Sequence, residues 1–237
     1  MEQETFVFKL TGNMANWRRF YTNTSSLSYY CPTRTNIMGI LASILKMPRD
    51  SYYEQFNSDN LGIAVKIECP LKKMVHTLNY RSDKIGYTQI KLEIIMSKIG
   101  TSLQYMIYLS YKNEETKKLL ETLKNKINKR DLGYGVYLGQ RQFKGDIELV
   151  SVKKFILSEK LKHSNSTILV KNIKGTLDIN NFEKRYVKDI MPLDFNSDRT
   201  IQRSEEVLCE FNGNKIEIID GQLNNVYTDG KENISFL

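Results

Sequence analysis

Residues 12–46 read GNMANWRRFYTNTSSLSYYCPTRTNIMGILASILK, and the change of pattern inside this stretch decides the fold. Residues 13–32 follow neither the helical nor the strand period. A loop of that length in a compact domain is usually functional or disordered. Pro32 then precedes an amphipathic helix in which Ile37, Ile40, Leu41, Ile44 and Leu45 fall at i, i+3, i+4, i+7 and i+8. Pro48 ends it, having no amide for a further helical bond. On the other side, residues 5–10 are rich in β-formers and bounded by Gly12, which predicts a first, central strand.

The loop lies in a segment, residues 5–49, without a single Asp or Glu. Six cations stand in it: Lys9, Arg18, Arg19, Arg34, Lys46 and Arg49. Trp17, Phe20, Tyr21, Tyr29 and Tyr30 lie between the arginines, spaced by small residues such as Ser25 and Ser26. Arginine supplies charge and bidentate phosphate contacts, rings stack on bases, and hydroxyls reach sugar and phosphate oxygens. One reading is a loop that holds a folded single strand of nucleic acid. The other is a surface loop whose aromatics fold back into the core. The segment alone leaves both open.

The 237 residues suffice for one generous domain or for a domain with an appendage. No apolar run reaches the length of a membrane span, and the opening MEQETFVFKL is not a secretory signal. Cys31, Cys69 and Cys209 are scattered and odd in number, which argues for a reducing cytoplasm and against a disulfide frame or a zinc site. Two histidines, His76 and His163, are too few for a His-rich metal centre, so no metal and no cofactor are expected. The formal charge of +8 is uneven. Residues 1–154 hold 24 Lys or Arg against 14 Asp or Glu, whereas residues 155–237 hold 11 against 13. A basic body suggests a polyanion, and the slightly acidic remainder a protein neighbour.

Further along, Ser51-Tyr52-Tyr53-Glu54 offers a capping-box start for a short helical piece. Residues 61–68 read as a strand. Residues 74–80 and 87–96 read as a projecting hairpin around Arg81-Ser82-Asp83-Lys84-Ile85-Gly86. Residues 102–111 form another strand, apolar on both parities. Asn113 then caps a helix with Glu114 and Glu115 in its first turn and the stripe Leu119, Leu120, Leu123, Ile127. Residues 146–155 are a strand, and short strands follow at 167–170, 185–190, 207–211 and 215–219. With the hairpin set aside, the order is strand, helix, strand, strand, helix, strand. That is the ferredoxin-like βαββαβ arrangement of an α+β fold, a frequent scaffold for RNA binding.

Between the second helix and its strand lies Gly133-Tyr134-Gly135-Val136-Tyr137-Leu138-Gly139-Gln140-Arg141-Gln142-Phe143. This is neither G-x-G-x-x-G nor a Walker loop, and it leaves a helix to enter a strand, the reverse of a dinucleotide fold. Glycines let a phosphodiester approach the amides, and Arg141 can neutralise its charge. A tight turn at Gly133 explains one glycine well and three poorly, so an RNA-facing loop is favoured. Nucleophilic catalysis finds little support. There is no G-x-S-x-G, and Lys162-His163 reads as a solvated turn.

In three places the chain resembles the fifth CRISPR-associated (Cas) protein family of the RAMP superfamily. These are residues 8–45 with Trp17-Arg18-Arg19 and Tyr29-Tyr30-Cys31-Pro32-Thr33-Arg34-Thr35, then Tyr137-Leu138-Gly139-Gln140-Arg141-Gln142-Phe143, then Asn233-Ile234-Ser235-Phe236-Leu237. The look is nearest to type I-B members. The resemblance implies a ferredoxin-like (RRM/RAMP) domain, residues 1–156, with an inserted β-hairpin thumb at about 71–99, and a small β-rich region at 157–237. It implies a place in a type I Cascade surveillance complex in the cytoplasm, on the 5′ handle of the crRNA. Neighbours would be the seventh-family backbone subunit, the eighth-family large subunit and target DNA. Carried over, the handle would be held by Trp17, Arg18, Arg19, Tyr21, Ser25, Ser26, Tyr29, Tyr30, Arg34 and Thr35. Gly133, Tyr134, Gly135, Tyr137, Gly139, Gln140 and Arg141 would complete the grip, with Lys72, Lys73, Arg81 and Lys84 on the thumb. Type I-C members cleave the crRNA precursor with a Tyr, Lys and His set. No adjacent Lys and His precede the second long helix here, so a non-enzymatic subunit is expected, with a metal-independent endoribonuclease as the alternative.

Overall fold

A computed structural model describes residues 2–82 and 86–237. β1 (Glu2–Gly12) is central to the main sheet because it is apolar on both faces. Phe6, Phe8 and Leu10 are buried on one face, Thr5 and Val7 on the other. Two short strands follow in the loop, β2 (Trp17–Arg18) and β3 (Ser28–Tyr29), paired with each other. α1 (Arg34–Leu45) begins where the Thr33 hydroxyl accepts the Asn36 amide and the Asn36 side chain accepts the Thr33 amide. It ends at Lys46, left-handed at φ 57°, whose amide returns to the Ala42 and Ser43 carbonyls.

Residues 51–60 form turns and not the short helical piece expected at Ser51. Their anchors are tertiary. Tyr53 and Phe56 are buried, and the Phe56 carbonyl is taken by the Arg34 guanidinium at 2.7 Å. A capping signal of about 0.5–2 kcal/mol loses to burial of two aromatic rings at about 1.5–3 kcal/mol each.

β4 (Leu61–Ile67), β5 (Leu71–Ser82), β6 (Gly86–Ser97) and β7 (Leu103–Tyr111) come next, then α2 (Glu114–Asn128) and β8 (Gly145–Ser158). Asn113 caps α2 by accepting the Thr116 amide at 2.8 Å. In the main sheet β8, β1, β7 and β4 lie side by side in that order, all antiparallel. Ile37, Leu41 and Ile44 of α1 and Leu120, Leu123 and Ile127 of α2 bury against Phe6, Phe8 and Leu10. β5 and β6 leave the sheet as a hairpin, paired from Leu71 opposite Ser97 to Ser82 opposite Gly86. Lys84, placed by the sequence near its turn, lies outside the described residues.

β8 runs past residue 156, and the chain then builds short strands: β9 (His163–Ser164), β10 (Ile168–Leu169) and β11 (Ile173–Lys174). The long pair β12 (Tyr186–Phe195) and β13 (Ile201–Glu210) forms a three-stranded sheet with β10. β14 (Ile216–Glu217) pairs with β9, and β15 (Gln222–Leu223) with β11. β16 (Val226–Thr228) and β17 (Asn233–Ser235) then return to the main sheet beside β8, making it six-stranded. Ile234 closes the second face over Val7, Ala64, Tyr108 and Phe155. The Phe236 ring lies so near Gly62 that a Cβ there would stand 3.1 Å from it. The outer edge of β4 is covered as well, since its Ile63 and Val65 carbonyls accept the amides of Leu237 and Thr167. The fold is thus α+β and sheet-rich, with two long helices. Among the described residues no helix is long and apolar enough to cross a membrane.

Candidate nucleic-acid interface

The long loop is held in one shape by a buried amide that sequence reading passed over. Asn16, 1% exposed, donates from Nδ2 to the Glu93 carbonyl at 2.8 Å and the Ser26 carbonyl at 3.2 Å. Its Oδ1 accepts the Ser26 hydroxyl at 3.2 Å and the Gln140 amide at 3.1 Å, while its own N–H reaches the Leu138 carbonyl. One residue therefore ties the loop, the serine tract, β6 and the glycine loop together. Backbone bridges reinforce the joint, pairing Ala15 with Ile95 and Ser26 with Leu92. Nothing in the triplet Ala15-Asn16-Trp17 signals this, because the partners are 10, 77 and 124 residues away.

The same packing accounts for the glycines. Gly133, Gly135 and Gly139 all take positive φ, 59°, 99° and 94°. A Cβ on Gly139 would stand 1.8 Å from the Asn16 carbonyl oxygen, and one on Gly133 would stand 2.2 Å from that of Ser43. The expectation that only one of the three serves the chain's own packing is corrected. Gly133 lets the loop lie on the end of α1, and Gly139 lets it lie on Asn16.

The loop's side chains divide into two groups. Trp17 and Tyr29 are buried, with the Trp17 indole donating to the Tyr105 hydroxyl and the Tyr29 hydroxyl donating to the Ile190 carbonyl at 2.6 Å. Burial raises the Tyr29 phenol well above its ordinary range, with the Asp189 charge adding to it. Tyr30 stacks on Phe211, ring centroids 4.1 Å apart. Arg34 is wholly buried, 3.4 Å from Asp194, and donates to the Phe56 and Leu237 carbonyls. Desolvation lowers its pKa to about 10 against the favourable pull of Asp194. Arg19 pairs with Asp189 at 2.7 Å, and Tyr21 donates to the same carboxylate at 2.9 Å. Trp17, Tyr29 and Arg34 are thus core and buttress in this structure. Of the arginines expected on phosphate, Arg19 and Arg34 are corrected, because the distant acids Asp189 and Asp194 pair with them.

What remains outside is Arg18, Phe20, Tyr21, Tyr134 and Arg141, all exposed. Among the described residues neither Arg18 nor Arg141 forms an ion pair, and Arg18 only donates to the Thr22 carbonyl at 2.9 Å. On the hairpin Lys72 is exposed, and the Arg81 guanidinium lies 6.0 Å from the Tyr87 ring. Lys73 is engaged, with Glu93 at 2.9 Å, the Ser28 carbonyl at 2.6 Å and the Tyr30 ring at 4.7 Å. Burial lowers its pKa, opposed by Glu93. Burial by itself would raise the Glu93 pKa, but the Ser28 amide and Lys73 outweigh it and bring it below the usual carboxylate range.

Two clefts open on this surface. The first, about 380 Å³, lies where the loop meets the hairpin and is lined by Arg18, Asn23, Ser25, Ser26, Leu78, Tyr80 and Gln140. The second, about 430 Å³, lies between α1 and the glycine loop, with Thr35, Asn36, Ser43, Tyr52, Tyr53, Tyr137, Gly139 and Arg199 in its walls. Gly139 lines one and its neighbour Gln140 the other, so the glycine loop is the ridge between them. Apolar walls, a ring, amides and one cation in the first cleft suit a base with its phosphate. Tyr80, Leu78 and Tyr52 were not foreseen as site residues, because only the folded hairpin and the 51–60 turns bring them to the loop.

The Lys162-His163 pair lies in a separate cleft with Asp178 and Glu217. His163 Nε2 accepts the Asn233 side-chain amide at 2.9 Å, and its carbonyl accepts the same group. Its pKa is lowered by burial and then by the Lys215 charge.

A family model described as CRISPR-associated protein (Cas_Cas5) matches residues 5–207. The crystal structure of a CRISPR protein from Archaeoglobus fulgidus is similar over 99% of this chain and 98% of that one, at 15% identity and a TM-score of 0.51. A chain of a CRISPR RNA-guided surveillance complex is similar over 87% of this chain and 90% of its own, at 13% identity and a TM-score of 0.50. At such identities the likeness is one of fold. No curated protein matches the chain.

Proposed function

The chain belongs to the CRISPR-associated (Cas_Cas5) family, the fifth, and we propose that it is the subunit of a type I Cascade complex, of subtype I-B, that holds the crRNA 5′ handle. Its six principal elements, with strands ordered β8-β1-β7-β4, are then a ferredoxin-like arrangement carrying the β5–β6 hairpin as a thumb. The observation that carries the reading is the pair of clefts on either side of the Gly139–Gln140 ridge, with Arg18 in the wall of one and exposed Arg141 next along the chain from the ridge, neither in an ion pair among the described residues. A single strand laid across the ridge meets amides and positive charge on its phosphates, and a ring on each side. Rigid support under the ridge, through Asn16, keeps the groove from collapsing when empty, which lowers the entropic cost of binding.

In this reading the protein recognises RNA and does not cut it. His163 supports that side, because its Nε2 is occupied by Asn233 and its cleft is not the one that holds the ridge. The seventh-family backbone subunit, the eighth-family large subunit and target DNA are the proposed partners. The test is handle RNA added to the complex assembled with Arg18→Ala/Arg141→Ala, with uncut repeat precursor monitored alongside. Loss of handle affinity with the precursor intact supports the reading. Cleavage at the handle boundary, or unchanged affinity, overturns it.

A further inference from the structure

Gly39 stands in the middle of α1, in ordinary helical backbone, where glycine is the poorest helix former short of proline. The chain's own packing does not call for it. Among the described residues a Cβ there would meet only the Tyr52 hydroxyl oxygen, at 3.5 Å, an ordinary contact. Gly133 and Gly139 differ, since backbone carbonyls exclude a Cβ at each. Over Gly39 lies the cleft between α1 and the glycine loop, about 430 Å³, the size of a small-ligand site. Alanine would strengthen the helix and narrow the cleft, so the open space answers to an occupant and not to the fold.

The walls narrow down that occupant. Tyr52, Tyr137 and Phe195 give ring surface. The Ser43 hydroxyl is spent on the Gly135 carbonyl at 2.7 Å. Asn36 Oδ1 accepts both the amide and the hydroxyl of Thr33, at 3.1 and 2.9 Å, which leaves Asn36 Nδ2 without a partner among the described residues. Arg199 enters from the turn between β12 and β13, held at a φ of 66°, a region side chains rarely adopt. Its Nε bonds Asp50 at 2.6 Å, and among the described residues its two Nη groups have no partner. The unengaged nitrogens are donors, set among rings beside the ridge. A flat ring with two acceptors on one edge satisfies them. Guanine presents O6 and N7 in that way and matches the guanidinium fork, whereas adenine places a donor beside its N7. We propose that this cleft takes one guanine of the bound RNA, lying over Gly39, with Arg199 reading its O6 and N7. The proposal rests on the reading of the chain as the handle-binding subunit.

The experiment uses the assembled complex and labelled handle RNA carrying one abasic nucleotide at each position in turn. Gly39→Ala should raise the urea midpoint of the full chain while lowering handle affinity about tenfold. One abasic position should cost the wild type a similar factor and cost Gly39→Ala nothing further, and that position should carry guanine. Placing 7-deazaguanine there, which lacks N7, should weaken binding by the wild type. Arg199→Lys keeps a charge for Asp50 but not the fork, so it should bind the natural and the deaza RNA equally. A lowered urea midpoint or unchanged affinity for Gly39→Ala would overturn the pocket alone. So would an equal loss at every abasic position, another base at the sensitive one, or an Arg199→Lys variant that still discriminates. If the wild-type complex does not bind handle RNA, the functional reading falls with it.

Discussion

Arg18 and Arg19 are adjacent and look alike in the sequence, yet their replacement by alanine should fail in different ways. Arg18 is exposed, among the described residues holds only the Thr22 carbonyl, and sits in the wall of the cleft at the hairpin. Its loss should change folding stability by less than about 0.5 kcal/mol, as for other surface positions. It should remove about one phosphate contact, flattening the log–log salt dependence of handle-RNA binding by roughly 0.7. Arg19 is 21% exposed, pairs with Asp189 at 2.7 Å, and has its guanidinium 5.9 Å from the Tyr21 ring and 5.7 Å from that of Tyr29. Removing it takes a charge-assisted bond from a carboxylate that is itself 12% exposed, though Tyr21 and the Ile190 amide still serve Asp189. The cost should be about 1–3 kcal/mol of stability, with the salt slope unchanged. Urea unfolding of each variant, and fluorescence anisotropy of labelled handle RNA on the assembled complex over a salt series, separate the two effects. Equal slopes for the two variants, or a flattened slope for Arg19→Ala alone, would refute the assignment of Arg18 to phosphate and Arg19 to the scaffold.

Gly139→Ala should destabilise the fold by more than 2 kcal/mol, by order of magnitude, since positive φ and the Asn16 carbonyl both oppose it. Gly100→Ala also sits at positive φ, 77° against 94°, but has no atom within 4 Å of its Cβ, so it should cost about 1 kcal/mol, and paired urea melts check the difference. Arg34→Ala should cost about 3–5 kcal/mol in the same assay, because Asp194 is left buried without its cation. His163 has a folded pKa held below its unfolded value, so its contribution is complete above about pH 6.5. As pH falls below that, the unfolded chain takes up the proton first and stability declines. His163→Gln should flatten this part of the pH–stability curve, which thermal melts at stepped pH will show.

Much of the frame was legible in the sequence. Both long helices, the central first strand, the hairpin and the Asn113 cap follow from period, β-propensity and capping chemistry, all of which act over a few residues. The family resemblance was equally local, carried by runs such as Tyr137 to Phe143, and the matching family model spans residues 5–207. The short helical piece at Ser51 failed because its signal competed with tertiary burial of Tyr53 and Phe56. In the candidate site, composition identified the right segments and could not sort their members. Nothing local distinguishes Arg18 from Arg19 and Arg34, whose acids lie 170 and 160 residues away, at Asp189 and Asp194.

By itself, then, the sequence determined the long helices and strands, and that the N-terminal loop is rich in cations and rings. Only the tertiary structure decided which of those cations are neutralised, which rings are core, and why the glycines stand where they do. The physical reason is range. Secondary structure is set by neighbours a turn apart. Ion pairing, burial and the 1.8 Å approach that excludes a Cβ at Gly139 depend on segments that meet only when the chain has folded.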